Sequence, residues 1–482
     1  MRGVWTAEQI RDTEKVLLER TPDGALMRRA AFGLAVVARR MLGAVSGSHV
    51  VLLVGAGNNG GDALWAGVEL RRRGVGVTAV LLSPDRAHPA GLAALRRSGG
   101  RIVAAGDAGF DTAVAQAVAG ADLALDGIVG ISGHGGLRPP AAEVVATVEE
   151  AGVPILAVDL PSGVDADTGA VDGPAVTAAA TVTFGALKPV HVLAAARCGP
   201  VHLVDIGLLP LLPAPHAHVL DAADVAQRWP VPGPTDDKYT QGVVGIAAGS
   251  ATYPGAAVLA TGAAVLAKSG MVRFAGSAAP GVRDHWPEVV AVDHIADAGR
   301  TQSWTVGPGI GTDEAARELL AAVIERDVPL CVDADAITLL AQHDDLRAGL
   351  RGRPVVITPH AGEFARIAGE VGPDRIGAAR RAAADLGVTV LLKGHTTVVA
   401  DPDGRTLVHP ASTSWAATAG SGDVLSGIIG ALLAAGLEPW WAAGCAAFLH
   451  ARAAEIAANG APSPASALQA AIPDAIRSLR SG

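Results

Sequence analysis

The strongest constraint on the fold is an alternation: a short, continuously apolar run leads into a glycine-rich turn and a helix-like segment, and the pattern recurs. VVLLV at 50–54, VTAVLL at 77–82, LALD at 123–126 and ILAVD at 155–159 carry it through the first part of the chain. VVGIAA at 243–248, PLCVD at 329–333, PVVIT at 354–358 and VTVLLK at 388–393 carry it through the second. Strands without polar alternation are buried on both faces, and strands separated by helices pair in parallel, so both parts are expected to form α/β layers. The sequence holds 60 Gly, and 50% of it is hydrophobic while only 3% is aromatic, which suits close helix–sheet packing and excludes a disordered or fibrous chain.

Proline and polar residues concentrate between Leu208 and Gly242, in LLPLLPAPHAHVL and WPVPGPTDDKYTQG. Such a stretch between two apolar blocks marks a seam. Placing it near Pro213 divides the 482 residues into domains at 1–213 and 214–482. Neither a fixed-period repeat nor a shared motif joins the halves, so they are read as unrelated domains.

With 38 Lys and Arg against 47 Asp and Glu, the formal net charge is −9, and there is no basic footprint for nucleic acid. The start, MRGVWTAEQIRDTE, carries charges at Arg2, Glu8, Arg11, Asp12 and Glu14 and lacks the apolar core of a signal peptide, so a cytoplasmic location is expected. Val424 to His450 is apolar and long enough to span a bilayer, yet Gly436, Glu438 and Pro439 break it. A buried helical hairpin is expected there. Cys198, Cys331 and Cys445 match no metal spacing and read as buried thiols in a reducing compartment.

In the first half, the strand at 50–54 runs into GAGNNGGDALWAG. Gly55, Gly57 and Gly60 satisfy a dinucleotide fingerprint, but its acidic partner on the next strand is represented only by Asp85, which comes late. The turn is also more polar than such a fingerprint needs, with Asn58, Asn59 and Asp62. Asp126 ends LALD and opens GIVGISGHGGLRPP, and Asp159 ends ILAVD and opens DLPSGVDADTG. Oxygens at the carboxyl edge of a parallel sheet sit where such sheets bind ligands. A carboxylate, an asparagine oxygen and the Ser162 hydroxyl suit a monovalent cation. Capping or turn roles remain open for each, and Lys188 in TFGALKP reads either as a phosphate contact or as a solvated lysine.

These motifs, in this order over most of 1–210, resemble the YjeF N-terminal domain, a family of NAD(P)H-hydrate epimerases. The resemblance implies a Rossmann-like three-layer αβα fold. It implies a hydrate site lined by Asn58, Asn59, Gly60, Gly61 and Asp62, and by Gly130, Ile131, Ser132, Gly133, His134, Gly135 and Gly136, with Asp159 as substrate-binding acid/base. It further implies a potassium ion held by Asn59, Asp126 and Ser162. Arg29, Ala31, Ala63 and Val190 depart from the family's usual residues.

In the second half, GVVGIAAGSATYPGAAVLATGAAVLAKSGMV gives a strand, a turn of small residues and an Ala-rich helix. VGPGIG at 306–311, ITPHAGEF at 357–364 and LLKGHTTVVA at 391–400 follow or end strands, and ATAGSGDVLSGIIGALLAAG opens an apolar helix at 417–436. Amides at a helix N-terminus favour the charge that develops on a transferring phosphoryl group, and a nearby carboxylate can take a proton from an attacking hydroxyl. A capped helix with Asp in its first turn satisfies GSGD equally well. Taken together over 217–482, the motifs resemble the YjeF C-terminal domain, the ribokinase-like ADP- or ATP-dependent NAD(P)H-hydrate dehydratases.

That resemblance implies a second αβα domain, with Ala257, Gly311, His360 and Asp423 on the hydrate and Asp423 catalytic. Lys393, Gly394, His395, Thr396, Thr397 and Gly422 would meet the nucleotide, accompanied by magnesium. Ser421 and the TSWAA stretch at 413–417 differ from the usual pattern. The pair of domains resembles the bifunctional NAD(P)H-hydrate repair family, which implies NADH and NADPH hydrates as substrates and a homo-oligomer, such as a tetramer. A ribokinase-like vitamin kinase fused to a non-catalytic nucleotide-binding module is the other reading of the same motifs.

Overall fold

The computed structural model describes residues 1–268 and 270–479. The chain divides into two compact units, Gly3–Ala217 and the residues from His218 onward together with Met1–Arg2.

In the first unit, the strands lie in the sheet order Arg101–Ala104, Gly76–Leu81, His49–Val54, Leu123–Gly127, Ile155–Val158, Ala180–Phe184 and Val201–Val204. Every pairing among them is parallel. The strand His49–Val54 shows why both faces are covered. Val50, Leu52 and Val54 enter one apolar cluster, while Val51 and Leu53 enter another on the opposite side. Successive side chains of a strand point to opposite faces, so an uninterrupted apolar run requires helices on both. The chain order reverses between His49–Val54 and Leu123–Gly127, a topological switch point, and the carboxyl ends of these strands open a crevice there.

The second unit repeats the three-layer plan with a different topology. Its parallel portion runs Thr389–Leu392, Val355–Ile357, Leu330–Val332, Ser303–Val306, Val243–Ala247, Met271–Ala275 and Val290–Val292. The strands expected at 243–248, 329–333, 354–358 and 388–393 all appear. Beyond Lys393, however, the chain reverses: Thr396–Ala400 pairs antiparallel with Thr389–Leu392, and Thr406–Pro410 antiparallel with Thr396–Ala400.

The apolar stretch Val424–His450 forms a pair of helices, Ser421–Ala434 and Pro439–Ala458, broken where glycine and proline were expected to break it. Among the described residues no helix is long and apolar enough to cross a membrane. Ser303 Oγ donates to the Gly430 carbonyl oxygen (2.8 Å), and a Cβ on Gly430 would meet Thr305 Oγ1 at 2.1 Å. The helix Ser421–Ala434 is thereby held flat against the sheet, with its N-terminus at the carboxyl edge. Cys198, Cys331 and Cys445 are all buried free thiols.

Candidate active sites

In the first unit the helix Asn58–Arg71 begins at Gly57, whose φ of +87° would strain an L-residue with a side chain. The turn delivers Asn58, Asn59 and Asp62 to a cavity of about 810 Å³ at the switch point. Gly130–Gly136, Asp159 and the helix residues Arg11, Glu14 and Lys15 line the same cavity. The structure therefore brings together the two loops and the strand end singled out in the sequence. Within the glycine loop His134 points largely to solvent, with Nδ1 3.7 Å from Asp165 Oδ2.

Asp159 stands at φ +70° just past its strand, an unusual conformation for a residue with a side chain. Its Oδ1 accepts from Lys188 Nζ (2.7 Å) and from Thr183 Oγ1 (3.0 Å). His191 Nε2 lies 2.8 Å from the Asp159 carbonyl oxygen, while His191 Nδ1 accepts from the Lys188 amide (2.9 Å). The accepting Nδ1 places the ring proton on Nε2, and burial lowers His191 to about 4, so the ring is a neutral strut. Lys188 is only 1% exposed. It is neither a solvated lysine nor a free phosphate contact, which corrects both readings offered by the sequence.

Asp126 is fully buried, and burial pushes its carboxyl up to about 6 against opposing hydrogen bonds from Ser162 and Ile128. Ser162 donates twice, from Oγ to Oδ1 (2.7 Å) and from its amide to Oδ2 (2.8 Å). Among the described residues Asp126 has only these neutral partners. The Asn59 side-chain nitrogen is buried without a hydrogen bond, and its Oδ1 borders Gly130. A dehydrated carboxylate with no cationic partner, a hydroxyl and an amide oxygen form a donor set that fits a monovalent cation.

In the second unit Gly420, at φ +86°, turns the chain into the helix Ser421–Ala434 and sets Asp423 in its first turn. Burial raises the Asp423 carboxyl to about 7, with Asp333 and Asp335 adding to the effect and Lys393 opposing it. Lys393 Nζ donates to Asp333 Oδ1 (2.7 Å) and lies 3.8 Å from Glu363 Oε2. A Cβ on Gly422 would sit 3.4 Å from that Nζ, so the ammonium lies against the helix N-terminus. Asp333 Oδ2 accepts from Ser426 Oγ, which joins the same helix to the strand end Leu330–Val332. Sequence reasoning missed Asp333, Asp335 and Ser426 as site residues.

Of the other residues expected here, His360 caps the helix Ala361–Ala368 through Nδ1, which accepts from the Gly362 and Glu363 amides. Its ring is otherwise largely exposed. Gly311 donates its amide to Asp335 Oδ2 (2.9 Å) and faces open space. Ala257 is fully buried beneath Gly249, so its methyl sets spacing rather than presenting a contact surface. Gly394 and His395 lie exposed at the reversal after Lys393, and Thr396 and Thr397 begin the antiparallel strand. Among the described residues no cluster of three or more His, Cys, Asp or Glu side chains could hold a metal ion. Magnesium takes most of its ligands from phosphates and water with one or two carboxylates, and Glu363 beside Lys393 fits that more modest demand.

Residues 244–474 match the NAD(P)H-hydrate dehydratase family model, and residues 23–190 match the YjeF-related protein N-terminus. A bifunctional NAD(P)H-hydrate repair enzyme, Nnr, of Mycobacterium tuberculosis CDC 1551 is 59% identical over 91% of this chain and 90% of its own length. The Mycobacterium leprae enzyme of the same name is 58% identical over 95% of this chain and 94% of its own. A ribokinase-like superfamily protein from Enterococcus faecalis V583 covers 55% of this chain and 96% of its own with a TM-score of 0.50 at 23% identity, a likeness of fold. The chain belongs to the bifunctional NAD(P)H-hydrate repair enzyme family.

Proposed function

We propose that the chain repairs hydrated NADH and NADPH, with residues 1–213 interconverting the R and S epimers and residues 214–482 dehydrating the S epimer at the expense of ADP or ATP. The observation that carries this reading is Asp423, a carboxyl raised to about 7 beside the helix amides and Lys393. Such a group is poised to gain or lose a proton at neutral pH.

The hydrate bears a hydroxyl on C6 of the reduced nicotinamide ring, and hydroxide is a poor leaving group. Asp423 takes the hydroxyl proton while that oxygen attacks the terminal phosphorus of the nucleotide. Lys393 and the amides around Gly422 hold the phosphoryl oxygens as charge develops on them. The C6–O bond then breaks with electrons from the ring nitrogen, and the departing phosphate takes the C5 proton as the double bond is restored. The products are NAD(P)H, phosphate and AMP or ADP. Glu363 would supply the protein carboxylate for a magnesium ion bound with the nucleotide, which would neutralise phosphate charge. Gly311 and His360 border the hydrate, Ala257 shapes its floor, and Gly394 to Thr397 border the nucleotide.

In the epimerase site Asp159 is the acid/base that moves the proton, held in place by Lys188 and Thr183. Asn58 to Asp62 and Gly130 to Gly136 hold the ring and phosphates. Asn59, Asp126 and Ser162 would hold a potassium ion, which would supply fixed positive charge at the buried carboxylate. The chain is read as a cytoplasmic homo-oligomer.

Reduced nicotinamide regains its absorbance at 340 nm on dehydration. A mixture of both epimers given ADP or ATP is expected to convert fully, faster than spontaneous interconversion allows. A rise that stops at one epimer would leave the first unit as a binding module. No rise, with a stable phosphate ester formed from an added alcohol, would make the second unit a kinase.

A further inference from the structure

The helix Ala7–Leu18 precedes the span 23–190 matched to the YjeF-related N-terminus. A capping box between Thr6 and Gln9 fixes its start. Arg11 Nη1 ties it to the glycine loop by donating to the Ile131 carbonyl oxygen (3.3 Å). Residues three and four apart share a helix face, and Arg11, Glu14, Lys15 and Leu18 all line the epimerase cavity.

Asp62, on the helix Asn58–Arg71, lines the same cavity. Its side chain belongs to a residue only 9% exposed, and among the described residues its carboxyl has no hydrogen-bonding or oppositely charged partner. A buried, unsatisfied carboxyl is far cheaper to hold neutral than charged. Burial, then the nearby Asp159 and Glu14, push Asp62 well above the usual carboxylate range. Glu14 is itself raised by burial, against the pull of Lys188 and with the help of Asp159. The cavity thus holds one carboxylate paired directly with an ammonium, Asp159 with Lys188, and two carboxyls, Glu14 and Asp62, with no direct ion pair.

We infer that Glu14 and Asp62 are the acid side of the epimerization site, holding a proton for the C6 oxygen of the hydrate across from Asp159. This rests on the epimerase reading of the first unit. The proton passes to the C6 hydroxyl, the C6–O bond breaks, and the ring-nitrogen lone pair forms the N1=C6 iminium as water is released. Water adds back to the other face of C6, its electron pair closing the C–O bond and its proton passing to Asp159. Return of that proton to the Glu14–Asp62 pair resets the site with no net gain or loss of atoms or charge.

The test uses the full chain and hydrate enriched in one epimer, with interconversion followed from pH 5.5 to 9. Glu14→Gln is expected to lower kcat for interconversion by about 100-fold with little change in KM, and Asp62→Asn to lower kcat by a similar factor. Both should flatten the alkaline limb, along which the wild type loses its acid. Lys188 and Asp159 act on Glu14, Arg11 and Lys15 flank it on its own helix, and Arg86, Arg138 and His134 border the cavity. Dehydration of the S epimer in the same variants is expected to persist, and Glu14→Asp should recover part of the rate with the limb. Glu14→Gln with unchanged kcat and pH profile would overturn the inference alone. Absence of interconversion by the wild type would overturn the epimerase reading on which it stands.

Discussion

Lys188 Nζ lies 2.7 Å from Asp159 Oδ1, a buried ion pair that binds the strand end of the epimerase site to a loop 29 residues later. Thr183 Oγ1 bridges the same two groups, donating to Asp159 and lying 2.8 Å from the ammonium. Both contacts use Oδ1, which leaves Oδ2 without a hydrogen bond among the described residues.

Removing the ammonium while keeping the stem tests this arrangement. Lys188→Met leaves Asp159 buried with only a hydroxyl partner, and breaking a buried pair from one side costs about 3–5 kcal/mol. The expected outcome is a lower melting temperature for the first unit by calorimetry and loss of epimer interconversion. Dehydration of the S epimer should continue in the same preparation. Wild-type stability in the variant would mean that water replaces the ammonium freely.

Asp423 sets a pH dependence whose sign follows from its role. As a base it must be unprotonated, and its carboxyl titrates at about 7. The rate of dehydration under kcat/KM conditions is therefore expected to rise about tenfold per pH unit below 7 and to level off above it. Asp423→Asn should lower kcat by about 10²- to 10⁴-fold and abolish the acid limb, while epimerization persists. A variant with the wild-type dehydration rate would remove Asp423 from the chemistry.

Much of this site was legible because strand ends and glycine turns announce themselves locally: Asp126, Asp159 and GSGD each close an apolar run or open a helix. What stayed hidden depends on contacts between distant segments. Lys188 carried no local sign of burial, since its partner is set by the parallel pairing of Ile155–Val158 with Ala180–Phe184. Asp333 had a signal, because it ends PLCVD as Asp126 ends LALD, but its meaning comes from Lys393, 60 residues away. Ser426 reads as a helix-interior serine until the helix is laid on the sheet. The strand ending at Lys393 was legible, but nothing local in GHTTVVA shows that Gly394 and His395 turn the chain back into an antiparallel strand at Thr396–Ala400.

The same shift in Asp423 predicts a stability effect opposite to its catalytic one. Its carboxyl moves from an ordinary 3.8 to about 7 in the folded chain. Between those values the folded state binds more protons than the unfolded state, so the stabilising contribution of this group falls as pH rises through the window. Asparagine has no such dependence. Asp423→Asn should therefore melt at a higher temperature than wild type at pH 8 and lose that advantage toward pH 4, as measured by scanning calorimetry across the range. An advantage independent of pH would mean that packing, rather than the buried charge, separates the two proteins.

Potassium dependence can be separated from turnover. Asp126 is fully buried and titrates at about 6, and its hydrogen bonds come from neutral groups. A cation bound beside it compensates the charge that burial penalises, so binding should strengthen as the carboxyl ionises and fade below about pH 6. A ligand present at ten times its dissociation constant stabilises the folded state by about 1.4 kcal/mol. Potassium chloride is therefore expected to raise the melting temperature of the first unit at pH 7.5 relative to choline chloride at equal ionic strength. The increment should disappear at pH 5 and in Asp126→Asn, where neither protein carries the charge. Equal melting in both salts at pH 7.5 would show that Ser162 and the loop amides alone satisfy Asp126, and that the donor set holds no ion.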